Sequence, residues 1–268
     1  MNDSSTDLGR LLHRETLGGH RAAVDALTAE WRTGDNVRRL WRRDATLWSG
    51  KDEALWLGWL DIVAQQAAHA EVFADVVRKV TERKPAHVVL LGMGGSSLCP
   101  DVLAHTFGRQ EGAPELLVLD STDPAQVATL AERVDAAQAL FVVASKSGST
   151  AEPNAFKAFF YDRVVQAVGQ GKAGQHFVAI TDPGSSLDQL AKEEGFLATY
   201  AGVPSIGGRY SALSLFGMVP AAAMGLDAHD LLARAGRMVR ACGADVPPES
   251  NPGVRLGLVI GALAQAGR

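Results

Sequence analysis

Four short segments of the chain combine glycine with hydroxyl side chains: residues 92–97 (GMGGSS), 145–150 (SKSGST), 181–186 (TDPGSS) and 207–211 (GGRYS). Glycine lets backbone N–H groups approach an anion closely, and a serine or threonine hydroxyl donates a further hydrogen bond without adding charge. Residues 145–150 alone carry Ser145, Ser147, Ser149 and Thr150 beside the ammonium of Lys146. That density of donors suits a phosphomonoester dianion. A serine or threonine ahead of a helix also serves as its N-cap, but one residue is enough for that. Four hydroxyls in six positions point to a ligand instead. Arg209 lies between a glycine pair and Tyr210, and a guanidinium on such a turn can stabilise a developing oxyanion.

The elements that must position these loops follow from the apolar pattern. Runs at 87–91, 115–119, 139–144, 176–180 and, more weakly, 197–200 read as strands. Helical stretches at 98–107, 124–134, 152–168 and 186–194 separate them. Continuous apolar strands alternating with helices imply parallel pairing with both faces covered. The expected fold is α/β, a doubly wound parallel five-stranded sheet preceded by a helical N-terminal region, with the ligand at the carboxyl ends of the strands. All four loops fall there, and all lead into helices. Further helices are expected at 212–224, 228–242 and 254–264, the last after a proline-rich linker at 245–252.

Residues 8–82 read as helical, with Leu11, Leu12, Val24, Leu27 and Trp31 at helical spacing and Leu57, Leu60, Val63, Phe73, Val76 and Val77 available for a buried face. The five tryptophans, at 31, 41, 48, 56 and 59, read as core and helix-packing surface. The expected domains are a helical region at 1–82, a ligand-binding domain at 83–245, and a linker and helix at 246–268.

Composition narrows the chemistry. The 268 residues carry a formal net charge of -4, so an anion must be bound locally and no nucleic-acid surface is expected. Arg38, Arg39, Arg42 and Arg43 cluster, but Asp35 and Asp44 flank them, as on a solvated helical face. Cys99 and Cys242 form no CxxC pair, so neither a disulfide framework nor a metal site is expected. The polar start lacks an apolar signal core, and no apolar run approaches the roughly 20 residues that span a bilayer; the expected location is the cytoplasm, with no membrane partner. Residues 92–97 come near a dinucleotide fingerprint, and Asp120 ends the second strand, but Ser97 stands where the third glycine belongs.

GMGGSSL, SKSGSTAEPN and IGGRYSALS, in that order, resemble glucose-6-phosphate isomerase and its sugar-isomerase domain. The stretch LWRRDATLW at 40–48 is similar to the isomerase half of bifunctional transaldolase/phosphoglucose isomerase proteins. The resemblance implies interconversion of glucose 6-phosphate and fructose 6-phosphate through an enediolate, without metal or cofactor, by a homodimeric family. Carried over by motif, Ser145, Lys146, Ser147 and Thr150 bind the phosphate, and Gly94, Gly95 and Ser96 contact the substrate. Arg209 stabilises the enediolate, and Glu152 orients a ring-opening histidine. Two departures stand out. Cys99 occupies a position that is usually glycine in the family, and SKSGST replaces a more threonine-rich loop. The family's proton-shuttling glutamate and ring-opening histidine are expected beyond Arg268, in a second sugar-isomerase domain, which makes this chain a half-site. A non-catalytic sugar-phosphate sensor is the alternative, although IGGRYS is more similar to the isomerase.

Overall fold

The structure, a computed structural model, describes residues 15–268; the expected helical start with Leu11 and Leu12 lies outside them. The described residues form two compact units. One comprises those up to Leu60 together with Ala233–Arg268, and the other is Asp61–Leu232. In chain order the helices and strands are α1 (Arg21–Thr33), α2 (Asn36–Trp41), α3 (Ile62–Ala67), α4 (Ala70–Arg83), β1 (His87–Gly92), α5 (Leu98–Phe107), β2 (Glu115–Leu119), α6 (Pro124–Arg133), β3 (Ala139–Ala144), α7 (Ala151–Val168), α8 (Gln170–Ala173), β4 (Phe177–Thr181), α9 (Ser186–Glu193), β5 (Ala198–Ala201), α10 (Leu215–Ala223), α11 (Ala228–Ala241) and α12 (Pro252–Gln265).

The first unit has a small core of Val37, Val254 and Leu258, against which Leu27, Trp31 and Trp41 pack. The Trp41 indole donates to the Cys242 carbonyl at 2.9 Å. The core reading of the tryptophans therefore holds for Trp31 and Trp41. It fails for Trp48 and Trp56, which are exposed. Trp56 lies in a single 3₁₀ turn, Glu53–Trp56, and Trp48 directly follows another, Ala45–Leu47; pieces that short offer little face to bury. The arginine cluster is matched by carboxylates: Arg38 and Arg42 reach Asp35 at 3.1 and 3.0 Å, and Arg39 reaches Asp44 at 2.8 Å.

In the second unit the five strands run parallel in the order β2-β1-β3-β4-β5. Strand periodicity splits the apolar runs between two faces. Val88, Leu90, Leu140, Val142, Val178 and Ile180 face α4 (Phe73, Val76, Val80), α5 (Leu103, Ala104) and α10. Val89, Leu91, Phe141, Val143, Phe177 and Ala179 face α6 (Leu130, Ala131), α7 (Phe156, Phe160, Val164) and α9 (Leu187, Ala191). All six β3 residues are buried, as expected of a central strand covered on both sides. β5, at the edge, is mostly uncovered.

Three boundaries shift from expectation for local reasons. α10 begins at Leu215 rather than 212, because the Ser214 hydroxyl accepts the Phe216 N–H at 3.3 Å and Ser211 and Ser214 close a turn ahead of it. α12 begins at Pro252, with Asn251 accepting the Val254 N–H at 3.0 Å. The proline reads as linker in the sequence but here sits at the first helical position, where its missing N–H costs nothing. β4 starts one residue late, because His176 completes a 3₁₀ turn, Gly174–His176.

Candidate functional site

β1 and β3 are neighbours, and their last residues, Gly92 and Ala144, are register partners. Both loops therefore leave from the same rung of the sheet. They then diverge: the chain after β1 enters α5 on one face, and the chain after β3 enters α7 on the other. A crevice opens where neighbouring parallel strands send their helices to opposite faces, and ligands of doubly wound sheets bind there.

The loop after β1 holds Gly94, Gly95 and Ser96 in a 3₁₀ turn. It is packed against the loop after β5, which carries Arg209. A Cβ added to Gly95 would lie 2.1 Å from the Gly208 carbonyl oxygen and 3.1 Å from the Arg209 nitrogen. The contact exists only because residue 95 lacks a side chain. Ser211 fastens the same pair of loops, its hydroxyl lying 3.3 Å from the Gly95 carbonyl and 2.6 Å from that of Gly208. Arg209 is exposed on this platform, and its guanidinium makes no ion pair or side-chain hydrogen bond among the described residues.

The loop after β3 holds Ser145, Lys146, Ser147 and Thr150. Ser147 and Thr150 are exposed. The Ser147 hydroxyl shares a hydrogen bond with that of Ser149 at 2.9 Å and accepts the Ser149 N–H at 3.2 Å. Ser145 is only 2% exposed, and its hydroxyl oxygen has no partner among the described residues. The Lys146 ammonium pairs with Asp182 after β4 and donates to the Pro204 carbonyl at 3.1 Å. Asn154, one turn into α7, donates to the Gly148 carbonyl at 3.2 Å. Gly148, at φ 69°, rests on the start of α9, where an added Cβ would lie 2.5 Å from the Leu187 nitrogen. Glu152 is partly buried in the first turn of α7 and accepts no hydrogen bond among the described residues.

The ends of the helices that follow strands separate into two kinds. α6 is capped by Asp123, α9 by Ser185 and α10 by Ser214. α5 and α7, the two that start at the divergence, have Ser97 and Thr150 at the cap position, and neither makes a side-chain capping bond. Pro100 and Pro153 stand at the third position of these helices and offer no N–H to a cap. The N–H groups of the first two residues of each, and the positive end of each helix dipole, remain for another acceptor.

Reading the sequence assigns Lys146 to the phosphate, whereas in the structure its ammonium is held by the β4 loop. Ser211, Asn154 and Asp182 fasten these loops without having been expected to. Asn154 and Ser211 belong to quoted motifs, so their signal was present, but nothing in the sequence pairs Lys146 with a residue 36 positions away. Among the described residues no group of three or more His, Cys, Asp or Glu is arranged to hold a metal ion.

Cys99 lies in α5, its sulfur 3.6 Å from the Ala212 carbonyl ahead of α10. Burial pushes its thiol upward, and that of Cys242 likewise. A raised thiol holds less thiolate, the reactive form. Both cysteines are expected to react with a chromogenic disulfide at pH 8 at least about tenfold more slowly than free cysteine, and equally fast once urea unfolding removes the protection. A fast-reacting native thiol would show that the burial is wrong.

Residues 64–263 match the phosphoglucose isomerase family model. A glucose-6-phosphate isomerase from Trichormus variabilis is 32% identical over 204 residues, 73% of this chain and 38% of that protein. One from a Synechococcus strain is 38% identical over 176 residues, 63% of this chain and 31% of that protein. Among solved structures, a hypothetical protein from Thermus thermophilus matches with TM-score 0.74 and 28% identity, over 90% of this chain and 55% of its own. A glucose-6-phosphate isomerase from Chlamydia trachomatis matches with TM-score 0.59 and 26% identity, over 87% and 42% respectively. The chain thus spans between about 30 and 40% of the length of these curated relatives. With a family match that takes in the whole sheet and all four ligand-edge loops, the chain belongs to the phosphoglucose isomerase family.

Proposed function

We propose that this chain binds the phosphate of glucose 6-phosphate and fructose 6-phosphate at the β1/β3 divergence and supplies the phosphate and arginine half of an isomerase site. The observation that supports this most is the pair of uncapped helices, α5 and α7, that start there while the other helices following strands are capped. A phosphate dianion supplies the missing acceptors and meets both helix dipoles. Ser147 and Thr150 add hydroxyl donors from the rim of the loop, and a χ1 rotation of Ser145 adds a third. Gly94, Gly95 and Ser96 line the sugar side. Arg209, whose guanidinium makes no ion pair among the described residues, faces the negative charge that develops on the enediolate as a proton moves between C2 and C1. Glu152, whose carboxylate accepts no hydrogen bond among the described residues, orients a ring-opening histidine.

An enediolate mechanism also needs a base at those carbons. None of the seven histidines lies in the four loops. The expected behaviour is binding without turnover. In a phosphorus NMR titration, the protein should broaden the glucose 6-phosphate line. Ser147→Ala should weaken that binding about tenfold, the loss of one hydrogen bond to a charged group. No fructose 6-phosphate should accumulate over hours. A line that stays sharp at millimolar protein would remove the phosphate site. Product formation above the rate with Ser147→Ala would show that a base is present, with Glu152 the first to test.

A further inference from the structure

Lys146 is the one cation in the phosphate loop, yet the structure directs it elsewhere. Its ammonium pairs with Asp182 and donates to the Pro204 carbonyl at 3.1 Å, so it bridges the loops after β4 and β5. Its backbone is gripped as well: the Lys146 carbonyl accepts the Asp182 N–H at 3.0 Å and the Thr181 hydroxyl at 3.3 Å. The side chains of the pair are only 25% and 17% exposed, so water screens them weakly. One Asp182 oxygen is committed to the lysine; the other is buried without a partner among the described residues. A carboxylate in that position is held by its pairing with Lys146, since leaving a buried charge unpaired is unfavourable.

We propose that Asp182 and Lys146 form a latch that fixes the phosphate loop, and that Asp182 is a positioning residue for phosphate binding while Lys146 acts through the latch and not as a direct ligand of the anion. The inference rests on the phosphate reading above. Residue 146 is immediately followed by Ser147, so holding it at both ends presets the path of the hydroxyls and of the turn into α7. A loop ordered before the ligand arrives loses less conformational freedom on binding.

The two roles of Lys146 give opposite signs at Asp182. If the ammonium bound phosphate directly, Asp182 would be a competitor and a nearby like charge, and Asp182→Ala would leave affinity unchanged or raise it. A latch requires the reverse. Asp182→Ala and Lys146→Ala are each expected to weaken inorganic phosphate and glucose 6-phosphate binding about tenfold. The double variant should lose no more than either single change, because both remove one interaction. Lys146→Arg, which can still pair with Asp182, should recover most of the affinity.

Amide hydrogen exchange of residues 147–150 in the ligand-free protein reads the latch independently of any ligand. Both single variants should speed exchange there at least tenfold, the double variant equally, with exchange in β3 unchanged. If the wild type binds no phosphate, the functional reading fails while this exchange measurement still decides the latch. Unchanged exchange, or tighter phosphate binding by Asp182→Ala, would overturn it.

Discussion

Gly95→Ala is expected to reduce glucose 6-phosphate binding at least tenfold. Nothing about its backbone angles demands glycine. The demand is space, since the new Cβ would stand 2.1 Å from the Gly208 oxygen and 2.4 Å from its carbon, whereas ordinary contact is about 3.5 Å. Neither atom belongs to a side chain that can swing aside. One of the two loops must retreat by on the order of 1 Å, a displacement that costs roughly 10²-fold where a catalytic group is misplaced. Either the turn that carries Gly94 and Ser96 or the segment that carries Arg209 is displaced, and the Ser211 bonds to both loops are strained in both cases. Gly94→Ala is the contrast. Its φ is 56°, and no atom lies within 4 Å of the added Cβ. That change costs strain of about 1–2 kcal/mol without moving Arg209. Phosphorus NMR titration of both variants checks the difference. Equal affinities for the two would mean that the close approach of the loops does not shape the sugar side of the site.

The parts of the molecule legible in the sequence are those decided by short-range pattern. The runs at 87–91 and 139–144 announce strands because both faces of each are covered, leaving no polar alternation to obscure them. α5 falls where its apolar pattern ends at Phe107 and Gly108 follows in a positive-φ conformation. The glycine and hydroxyl loops stand out in the sequence because their composition exceeds what capping needs, and the proposed phosphate site is built on them. What could not be read is what arises only after the strands are ordered. Gly95 and Gly208 are 113 positions apart, and nothing local distinguishes a glycine needed for close approach from one needed for φ. The Lys146–Asp182 pair depends on β3 and β4 being neighbours. The capping distinction, by contrast, has a local trace: proline at the third position of α7 removes the N–H that Thr150 could accept there, whereas Ser185 bonds the Asp188 N–H at that position of α9 at 3.1 Å. Trp48 and Trp56 mislead for a related reason, since large apolar side chains signal burial only where a second layer exists to cover them.

Phe141→Ala is expected to give the largest loss of stability, about 3–5 kcal/mol, out of the roughly 5–15 kcal/mol typical of a domain. Phe141 is fully buried at the middle of β3. Its ring stacks on Phe177 of β4 at 5.0 Å and 18°, and meets Phe160 of α7 at 5.0 Å. Phe177 in turn touches Tyr161 and Phe196, both at 5.3 Å, so one truncation opens a cavity beside Phe160 and Phe177 and loosens the rings that pack on them. The backbone around it cannot collapse easily, because β3 is bonded on both sides to β1 and β4. Phe141→Leu keeps most of the volume and should cost less than about 1.5 kcal/mol. The probe matters. All five tryptophans lie at or before residue 59, in the unit without the sheet, so fluorescence does not report on β3. Urea unfolding followed by far-ultraviolet circular dichroism does, and the loss should appear as a lower midpoint at unchanged slope. The phosphate loop starts only four residues after Phe141, at Ser145, so the same variant should also bind glucose 6-phosphate more weakly at temperatures where its sheet remains folded. A loss under about 1 kcal/mol would show that the ring cluster is loosely packed and that β3 owes its position to its strand neighbours alone.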